Sequence, residues 1–412
     1  MVSDFYQPFI GGVEVVVRNL ARELNTRGHD VSVATIWSDG LAAYEKDGGV
    51  SVHRIRPTVA RLDSLFKQHR NWAPPLPDPG AVAGLRRVVS AERPQIVHGH
   101  DWLARSLLPL GTASRARFVM SLHYYTLSCA KKTLVYRDAP CSGPAVAKCL
   151  GCGSAHYGVA KGSAVVLGNF ASAAAERRAV DLFLPVSEAT AAGNGLVGSG
   201  LPYEVIPNFV SSLEDGQPDE FNLPGGLPDG DFLLYVGDLR KEKGIEILLD
   251  AYRRIRGGPP LVVIGEPWPD SPRDVPADVR VLTGWKNDDV REAQRRCLAL
   301  IAPSVWPEPF GMVVIETLAA GRPVIASRIA GMAELVEDHV NGLLVPPGDA
   351  DALRDAIVSL LGDDRLVTRL AGNAHRSAHP FRASAVVPRF ERAYSRVLEC
   401  PRPGARNRRR AH

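Results

Sequence analysis

The sequence predicts an α/β protein with two doubly wound domains. Short apolar runs typical of buried strands alternate with helical patterns along most of the chain, as expected for parallel sheets with crossover helices. At 412 residues the chain is too long for one ordinary domain, and its 45% hydrophobic and 23% charged residues suffice for two sizeable cores. The net charge of +4 is mild and gives no reason to expect nucleic acid as a partner.

The first predicted domain spans residues 1–210. The glycine pair Gly11 and Gly12 follows a short apolar run, and residues 13–27 form an amphipathic helical pattern that Gly28 closes. Further apolar runs predict the parallel strands of this domain at residues 31–36, 96–98, 118–122 and 182–186.

The second predicted domain spans residues 211–380 and begins in a turn-rich linker at residues 211–219. Residues 381–398 are predicted to form a final helix that returns over the first domain. Residues 399–412 form a basic tail that we expect to be disordered, with contact to an anionic membrane surface or an acidic partner as the alternative. Apolar runs alternating with helical patterns predict the strands of the second domain at residues 232–236, 261–264, 279–282, 299–302, 324–326 and 342–345.

Two carboxylates, Glu308 and Glu316, stand eight positions apart at a predicted junction between a loop and a helix. Prolines and a glycine forbid a regular helix before about Gly311, whereas residues 312–320 are good helix formers. Glu308 is therefore predicted on the loop, and Glu316 in the first turns of the helix. Carboxylates at such a place suit the hydroxyl groups of a sugar.

The start of that helix is a predicted anion site. The backbone N–H groups of Gly311, Met312 and Val313 have no acceptor within the helix and carry its partial positive charge. Helix starts of this kind bind phosphate groups. A diphosphate would suit these amides.

A second segment supplies cations. Residues 232–236 form an apolar run that Gly237 ends, and a helical pattern begins at Ile245. Arg240 and Lys243 lie between them, on a loop at the carboxyl end of a predicted parallel strand, where open sheets bind ligands. The alternative is a solvated cluster of surface charges.

These segments together resemble glycosyltransferase family 4, the retaining, nucleotide-sugar-dependent transferases of the GT-B fold. The resemblance covers nearly the whole chain. It rests on EPFGMVVIE within the E-x7-E pair, on VGDLRKEKG, on VIPN at residues 205–208, and on SRIAGMAELVEDHVNGLLVPPGD at residues 327–349. It implies two Rossmann-like domains that face each other across a cleft.

The resemblance implies roles for residues of the second domain. Glu316 would hold the nucleotide ribose, Glu308 would face the donor sugar hydroxyls, and Lys243 would neutralise the diphosphate. Phe310 and the helix start that follows it would also contact the donor. Most of the predicted donor site therefore belongs to this domain.

The resemblance also implies roles in the first domain. The amides of Gly11 and Gly12 would approach the donor diphosphate from the opposite side, which only residues without a Cβ permit. His123 ends a strand and would place a polar group near the sugar and the acceptor, although a lone histidine is ordinarily a packed or surface residue. His98 and His100 also end a strand, and we expect them to be structural.

Three features depart from the family pattern. Asp238 stands where the family often has arginine, so Arg240 is assigned as the substitute. Tyr124 follows His123 where aspartate is common, which leaves the acceptor side open. The strand that precedes the first glycine loop is nearly absent, so either the natural start lies upstream of Met1 or the central strand is unusually short.

Four of the six cysteines, Cys129, Cys141, Cys149 and Cys152, fall in one predicted loop region rich in glycine, lysine and proline. Four thiols could hold a structural metal or form a redox-labile cluster. The spacing matches no standard zinc finger, and free thiols in an acceptor-side loop are the favoured interpretation.

We expect no divalent metal and no cofactor besides the nucleotide diphosphate sugar that serves as co-substrate. Many other glycosyltransferases hold a metal through an Asp-x-Asp pair, and two such pairs occur here. Asp229 and Asp231 are predicted in a turn that opens a strand, and Asp349 and Asp351 at the cap of a helix. Cations and helix amides would carry the charge of the leaving group instead.

The predicted function is transfer of a glycosyl group, with retention of configuration, to an unidentified small-molecule, glycan or lipid-linked acceptor. The alternative is a non-catalytic or partner-dependent GT-B protein that keeps the nucleotide pocket. An NAD-dependent oxidoreductase is not indicated, because no G-x-G-x-x-G follows a first strand. No apolar run approaches the ~18 residues of a membrane span, so we expect a soluble, cytoplasmic protein with at most peripheral membrane contact.

Overall fold

The computed structural model describes residues 1–8, 11–61, 73–113, 116–211 and 225–400, and most of their strands belong to two parallel sheets. One sheet is built from residues before 211, the N-terminal domain, and the other from residues after 225, the C-terminal domain. The predicted linker after residue 211, the tail after residue 400, and Phe9 and Ile10 lie outside the described residues.

The central strand of the N-terminal sheet is only one residue long. Val2 forms parallel bridges to Ala34 on one side and to Gly99 on the other, and so joins the three strands on the side of Ala34 to the three strands on the side of Gly99. Within this chain, the strand that precedes the glycine loop is thus as short in the structure as in the sequence. The strands of this domain are β1 (Ser32–Ile36), β2 (Tyr44–Asp47), β3 (Val50–Ile55), β4 (Ile96–Gly99), β5 (Arg117–Leu122), the small hairpin β6 (Val135–Tyr136) and β7 (Ala139–Pro140), and β8 (Leu182–Pro185).

Helices and 3-10 turns cover this sheet. In the first helix Val16, Val17, Leu20 and Leu24 recur on one face and are buried, as the amphipathic pattern predicts. A 3-10 segment, Trp102–Ala113, follows β4. The helices are α1 (Gly12–Thr26), α2 (Pro79–Glu92), α3 (Val146–Tyr157), α4 (Val159–Ala179) and α5 (Glu188–Gly193).

The C-terminal sheet has six parallel strands. Except for the edge strand that contains Arg280, its strands are mostly apolar on both faces, because helices cover both sides. The six strands are β9 (Leu233–Val236), β10 (Leu261–Ile264), β11 (Val279–Leu282), β12 (Ala299–Ala302), β13 (Val324–Ser327) and β14 (Gly342–Val345). Their order across the sheet is β11-β10-β9-β12-β13-β14. The helices are α6 (Ile245–Arg253), α7 (Asn287–Arg296), α8 (Met312–Ala319), α9 (Met332–Leu335), α10 (Ala350–Leu361) and α11 (Asp364–Ser377).

The order of the C-terminal strands creates a switch point between β9 and β12. From β9 the chain builds β10 and β11 on one side, and then returns to place β12 against the other side of β9. The loops after β9 and β12 therefore leave the same edge of the sheet in opposite directions. Such a crevice at the carboxyl ends of the strands is where open α/β sheets bind ligands.

The final helix, α12 (Ala383–Glu399), returns to the N-terminal domain as predicted. Its Val387 and Phe390 are buried in the same cluster as Leu20 and Val33. The chain crosses back beside its first crossing, because Val210 and Arg382 form a parallel bridge. None of the described helices is long and apolar enough to cross a membrane.

One predicted element is wrong. Cys149 and Cys152 lie on helix α3 and not in a loop. This helix packs closely on α4, where Gly153 and Gly162 meet so tightly that an added Cβ on either would overlap the other helix. Tertiary packing of this kind stabilises a helix in a segment whose glycines and proline indicate a loop.

Candidate active site

Lys243 and Glu308 meet at the switch point of the C-terminal sheet. Lys243 lies on the loop after β9, and Glu308 lies on the loop after the neighbouring strand β12. Lys243 Nζ is 2.6 Å from Glu308 Oε2, and the two side chains are 31% and 16% exposed. The ion pair is thus accessible from the crevice. Sequence analysis predicts both residues at strand ends, and the structure brings them together.

Trp306 is a further member of this group. Its Nε1 donates a hydrogen bond of 2.8 Å to the same oxygen of Glu308, and Lys243 Nζ lies 5.1 Å from the centre of its ring. The indole is itself buried. Sequence analysis missed Trp306, because no sequence pattern assigns an indole to a carboxylate two residues away.

Helix α8 begins beside Glu308. Gly311 precedes it with φ near +109°, a conformation that favours glycine and turns the chain from the loop into the helix. Met312 and Val313 form the first turn, and Gln294 Nε2 lies 3.5 Å from Glu316 Oε2 in the next turn. The predicted placement of Glu308 on the loop and Glu316 on the helix is confirmed. Phe310 is buried against Phe381, with ring centres 6.0 Å apart, and its side chain therefore supports the loop.

Two helix starts face each other across the crevice. A Cβ added to Gly12, at the start of α1, would lie 3.6 Å from Met312 Cγ, at the start of α8. The turn at Gly11 and Gly12 is thus close to the C-terminal site, where the resemblance places it. The carboxylate of Glu14 folds back against Gly11, so that a side chain there would collide with it. Both helix starts carry partial positive charge.

Arg240 is near this group but pairs elsewhere. Its guanidinium lies 2.8 Å from Glu242 Oε1 and 4.4 Å from the centre of the Trp268 ring. Lys243 rather than Arg240 contacts the Glu308 carboxylate. Arg240 remains on the same loop as Lys243, with a side chain that is 30% exposed.

Three buried histidines lie at the carboxyl ends of β4 and β5. His123 Nε2 lies 3.1 Å from His100 Nδ1, and the two rings are stacked with centres 5.4 Å apart. His98 contacts Ser121 Oγ and the hydroxyl of Tyr394, each at 2.8 Å. Burial lowers the pKa of His123 to about 4, so the ring is neutral at pH 7. His98 and His100 are buried, as a structural role predicts.

A buried ionic cluster lies next to these histidines. Lys132 Nζ is 2.6 Å from Asp101 Oδ1 and 4.0 Å from Asp4 Oδ2. Burial and the nearby Asp101 raise the pKa of Asp4 to about 7. Ser3 separates Asp4 from Val2, and His100 separates Asp101 from the end of β4, so both carboxylates lie at the switch point of the N-terminal sheet. Sequence analysis missed this cluster, although the position of Asp101 at a strand end is a signal that could have found it.

The cysteine cluster and the Asp-x-Asp pairs are also placed by the structure. All four clustered cysteines are free thiols, and burial raises the pKa of Cys129. Within the described ranges no group of three or more His, Cys, Asp or Glu side chains is arranged to hold a metal ion. Asp349 caps helix α10 as predicted, since its Oδ1 accepts a hydrogen bond of 2.8 Å from Ala352 N.

Two family models match nearly all of the chain. The Glycosyl transferase 4-like domain matches residues 11–208, and Glycosyl transferases group 1 matches residues 221–377. The chain is a GT-B glycosyltransferase of the family 4 type. It is an enzyme that uses a nucleotide-sugar donor, and these findings do not favour the alternative of a non-catalytic GT-B protein.

Relatives in two organisms match this glycosyltransferase over most of its length. A glycosyltransferase of Methanocaldococcus jannaschii is 27% identical, over 92% of this chain and 93% of the relative. The D-inositol 3-phosphate glycosyltransferase of Jonesia denitrificans is also 27% identical, over 90% of this chain and 88% of the relative.

Solved structures share the fold. Sucrose-phosphate synthase from Thermosynechococcus elongatus superposes with a TM-score of 0.72 and 21% identity, over 94% of each chain. HepE of Anabaena, solved with UDP-glucose, gives a TM-score of 0.65 and 17% identity, over 96% of this chain and 99% of that one. These similarities confirm two Rossmann-like domains in the GT-B arrangement.

Proposed function

We propose that this glycosyltransferase moves a sugar from a nucleotide diphosphate to an acceptor with retention of anomeric configuration and without a divalent metal. The observation that carries the proposal is the Lys243–Glu308 pair at the switch point, with the starts of α1 and α8 beside it. A cation and two helix starts suit the diphosphate. A carboxylate beside them suits the sugar.

The diphosphate binds between the two helix starts. The amides around Gly12 approach from the N-terminal domain, and those of Gly311, Met312 and Val313 from the C-terminal domain. Lys243 adds a full positive charge that stabilises the leaving nucleotide as the glycosidic bond breaks. Arg240, on the same loop, supports this charge from farther away. Because these groups balance the negative charge of the diphosphate, the reaction does not need a divalent metal.

Glu308 orients the donor sugar. Lys243 and Trp306 both contact its Oε2, which orients Oε1 to accept hydrogen bonds from sugar hydroxyls. The role is not that of a covalent nucleophile. The acceptor hydroxyl attacks the anomeric carbon on the face from which the nucleotide leaves, and its proton passes to the departing phosphate oxygen.

Glu316 and His123 complete the site. Glu316 accepts from the ribose hydroxyls, and Gln294 holds its carboxylate in place. His123, neutral at pH 7, exchanges a hydrogen bond with the sugar or the acceptor on the N-terminal side. The acceptor enters along the edge of the N-terminal sheet where Asp101 and His123 lie.

Calorimetric titration with UDP, GDP, ADP and TDP tests the donor site. We expect saturable binding to one nucleotide, weakened about tenfold to a hundredfold in Lys243→Ala and in Glu316→Ala, since hydrogen bonds to charged groups contribute about 1.5–3 kcal/mol. Lys46→Ala is the matched control, because Lys46 is exposed on the edge strand β2 of the N-terminal domain. Absence of binding to all four nucleotides would overturn the proposal.

The matching nucleotide sugar then tests mechanism and metal use. Product linkages are assigned by NMR, where an inverted anomeric configuration excludes the proposed same-face attack. Turnover is expected to continue in EDTA. Activity that is lost in EDTA and restored by magnesium or manganese would contradict metal independence.

A further inference from the structure

The loop that carries Glu308 has few backbone groups through which other segments can hold it by hydrogen bonds. Pro307 and Pro309 flank Glu308, and proline has no backbone N–H to donate. Glu308 N donates to Trp306 O, at 2.7 Å, within the loop itself. The backbone of these three residues can therefore be anchored to other segments only through its carbonyl oxygens.

Each of the three carbonyls has a partner. Glu308 O accepts a hydrogen bond of 2.9 Å from Gly331 N, in the same domain. The two proline carbonyls accept from hydroxyls of the opposite domain. Pro307 O accepts from the Tyr125 hydroxyl at 2.9 Å, and Pro309 O accepts from Ser187 Oγ at 2.6 Å and Thr190 Oγ1 at 3.1 Å.

The three hydroxyls are themselves fixed. The Tyr125 side chain is 1% exposed and packs on Gly193, where any Cβ would overlap its ring. Ser187 caps helix α5 directly after β8, and Thr190 is buried one turn later. These donors are therefore held by the N-terminal sheet and its helices before they meet the loop.

A further contact joins the same two surfaces. The carboxylate of Glu334 in the C-terminal domain accepts from Glu188 N at 3.0 Å and from Ala189 N at 2.8 Å. The start of α5 is thus held against the C-terminal domain on the same side as Ser187. The two domains meet here through directional hydrogen bonds, which specify one relative placement.

We propose that Tyr125, Ser187 and Thr190 are positioning residues that hold the backbone on both sides of Glu308, so that its carboxylate reaches its working position only when the two domains are together. This inference rests on the role proposed for Glu308. When the two domains come together, the hydroxyls of the N-terminal domain bind the two proline carbonyls of the C-terminal domain. The same movement therefore brings Glu308 into position for the sugar. Placement errors of about 1 Å in a reacting geometry cost about a hundredfold in rate.

Tyr125→Phe tests the inference, because it removes one hydroxyl and keeps the buried ring. We expect kcat to fall about tenfold to a hundredfold, with nucleotide affinity changed less than about threefold, since Lys243 and α8 stay in place. Thr190→Val removes a second hydroxyl and is also expected to lower kcat. Thr190→Ser keeps that hydroxyl and should keep kcat near the wild-type value. Tyr44→Phe is the matched control, because Tyr44 is 50% exposed on strand β2.

A double variant separates positioning from general damage. If Tyr125 acts through Glu308, Tyr125→Phe should cost little further rate in a Glu308→Gln background. An equal loss in both backgrounds, or wild-type kcat in Tyr125→Phe, would overturn the inference. Failure of the proposed function would look different, because wild-type protein would then bind no nucleotide or Glu308→Gln would keep full activity.

Hydrogen exchange gives a readout that needs no acceptor. Amides of the segment around residues 310–316 should exchange faster in Tyr125→Phe than in wild-type protein, while those of the strand β10 stay equally protected. Unchanged exchange around residues 310–316 would show that the tyrosine hydroxyl does not hold the loop and would reject the inference.

Discussion

Lys243 and Glu308 satisfy each other's charge at the ligand-binding edge of the C-terminal sheet. Both are partly exposed, and ion pairs of this kind contribute at most about 1 kcal/mol to stability. In the proposed reaction the pair can therefore open at small cost, when Lys243 binds the diphosphate and Glu308 accepts a hydrogen bond from a sugar hydroxyl. Trp306 keeps the carboxylate in place during that exchange.

Removing the charge of Lys243 should slow the reaction far more than it destabilises the protein. We expect Lys243→Met to lower kcat/KM about 10²–10³-fold, the effect of losing one group that stabilises developing charge. Steady-state kinetics with the matching nucleotide sugar measure this. Lys46→Met should behave as wild type, and a Lys243→Met enzyme of normal rate would remove Lys243 from the site.

Acid should destabilise the protein through its buried histidines. Burial lowers the pKa values of His98, His100 and His123, so below about pH 6.5 the unfolded chain binds protons that the folded chain does not. Stability is therefore lost as the pH falls below that value. The raised pKa of Asp4, about 7, acts in the opposite direction for one proton and offsets part of the effect.

Urea unfolding at pH 7.5 and pH 5 measures this dependence. The midpoint should be lower at pH 5, since each unbalanced proton changes the free energy of unfolding by about 1.4 kcal/mol per pH unit. His98→Asn removes one of the titrating groups and should flatten the dependence. A pH dependence that is the same in His98→Asn as in the wild type would contradict the role of this histidine.

Sequence reasoning could find the site residues whose position follows from local rules. Glu308, Glu316 and Lys243 stand at strand ends or helix starts, where proline, glycine and apolar runs mark the boundaries. Trp306 and Tyr125 could not be found in this way. Their roles depend on contacts that exist only in the folded chain, and the contact of Tyr125 joins residues 182 positions apart.

At the scale of elements, the loops after β9 and β12 must pack closely to bring Lys243 to Glu308. Gly244 makes this approach possible, because its φ is +77° and a Cβ there would collide with the carbonyl of Pro303. The backbone of one loop thus touches the backbone of the other. The lysine is positioned by this contact as much as by its own ion pair.

Gly244→Ala should disturb both fold and function. We expect it to lower the free energy of unfolding by more than about 2 kcal/mol, since the left-handed backbone alone costs about 1 kcal/mol and the collision adds to it. Gly257→Ala is the matched control, with φ of +69° and no neighbouring atom near its Cβ, and should cost only the first amount. Chemical denaturation measures the free energy of unfolding of both variants. Equal losses would mean that the loops after β9 and β12 can move apart without cost.

Elements with strong local signals were predictable, and those stabilised by tertiary contacts were not. The β10, β11, β12 and β14 strands begin and end at the predicted residues, because each is a short, mostly apolar segment bounded by turn residues. Helix α3 is different, since its glycines indicate a loop in the sequence. In the structure the segment is helical because α4 packs against these glycines. Register and packing across elements are not encoded in a short window of sequence.

At the scale of the whole molecule, helix α12 belongs to the core of the domain that lies first in the sequence. Phe390→Ala should lower the free energy of unfolding by about 3–5 kcal/mol, the usual cost of removing a buried aromatic ring. Leu398→Ala is the control, because Leu398 is 42% exposed on the same helix. A Phe390→Ala variant as stable as the control would show that α12 contributes little to this core.

The return of the chain at α12 also determines where chimeras of related transferases can be joined. Val210 N donates to Phe381 O at 2.9 Å, and Ala383 N donates to Val210 O at 3.0 Å, so the two crossings run side by side. A chimera that exchanges the C-terminal domain must therefore replace an internal segment with two junctions, near residues 211 and 382. Because the ends of that segment are adjacent, one C-terminal domain can be exchanged for another without lengthening the N-terminal domain.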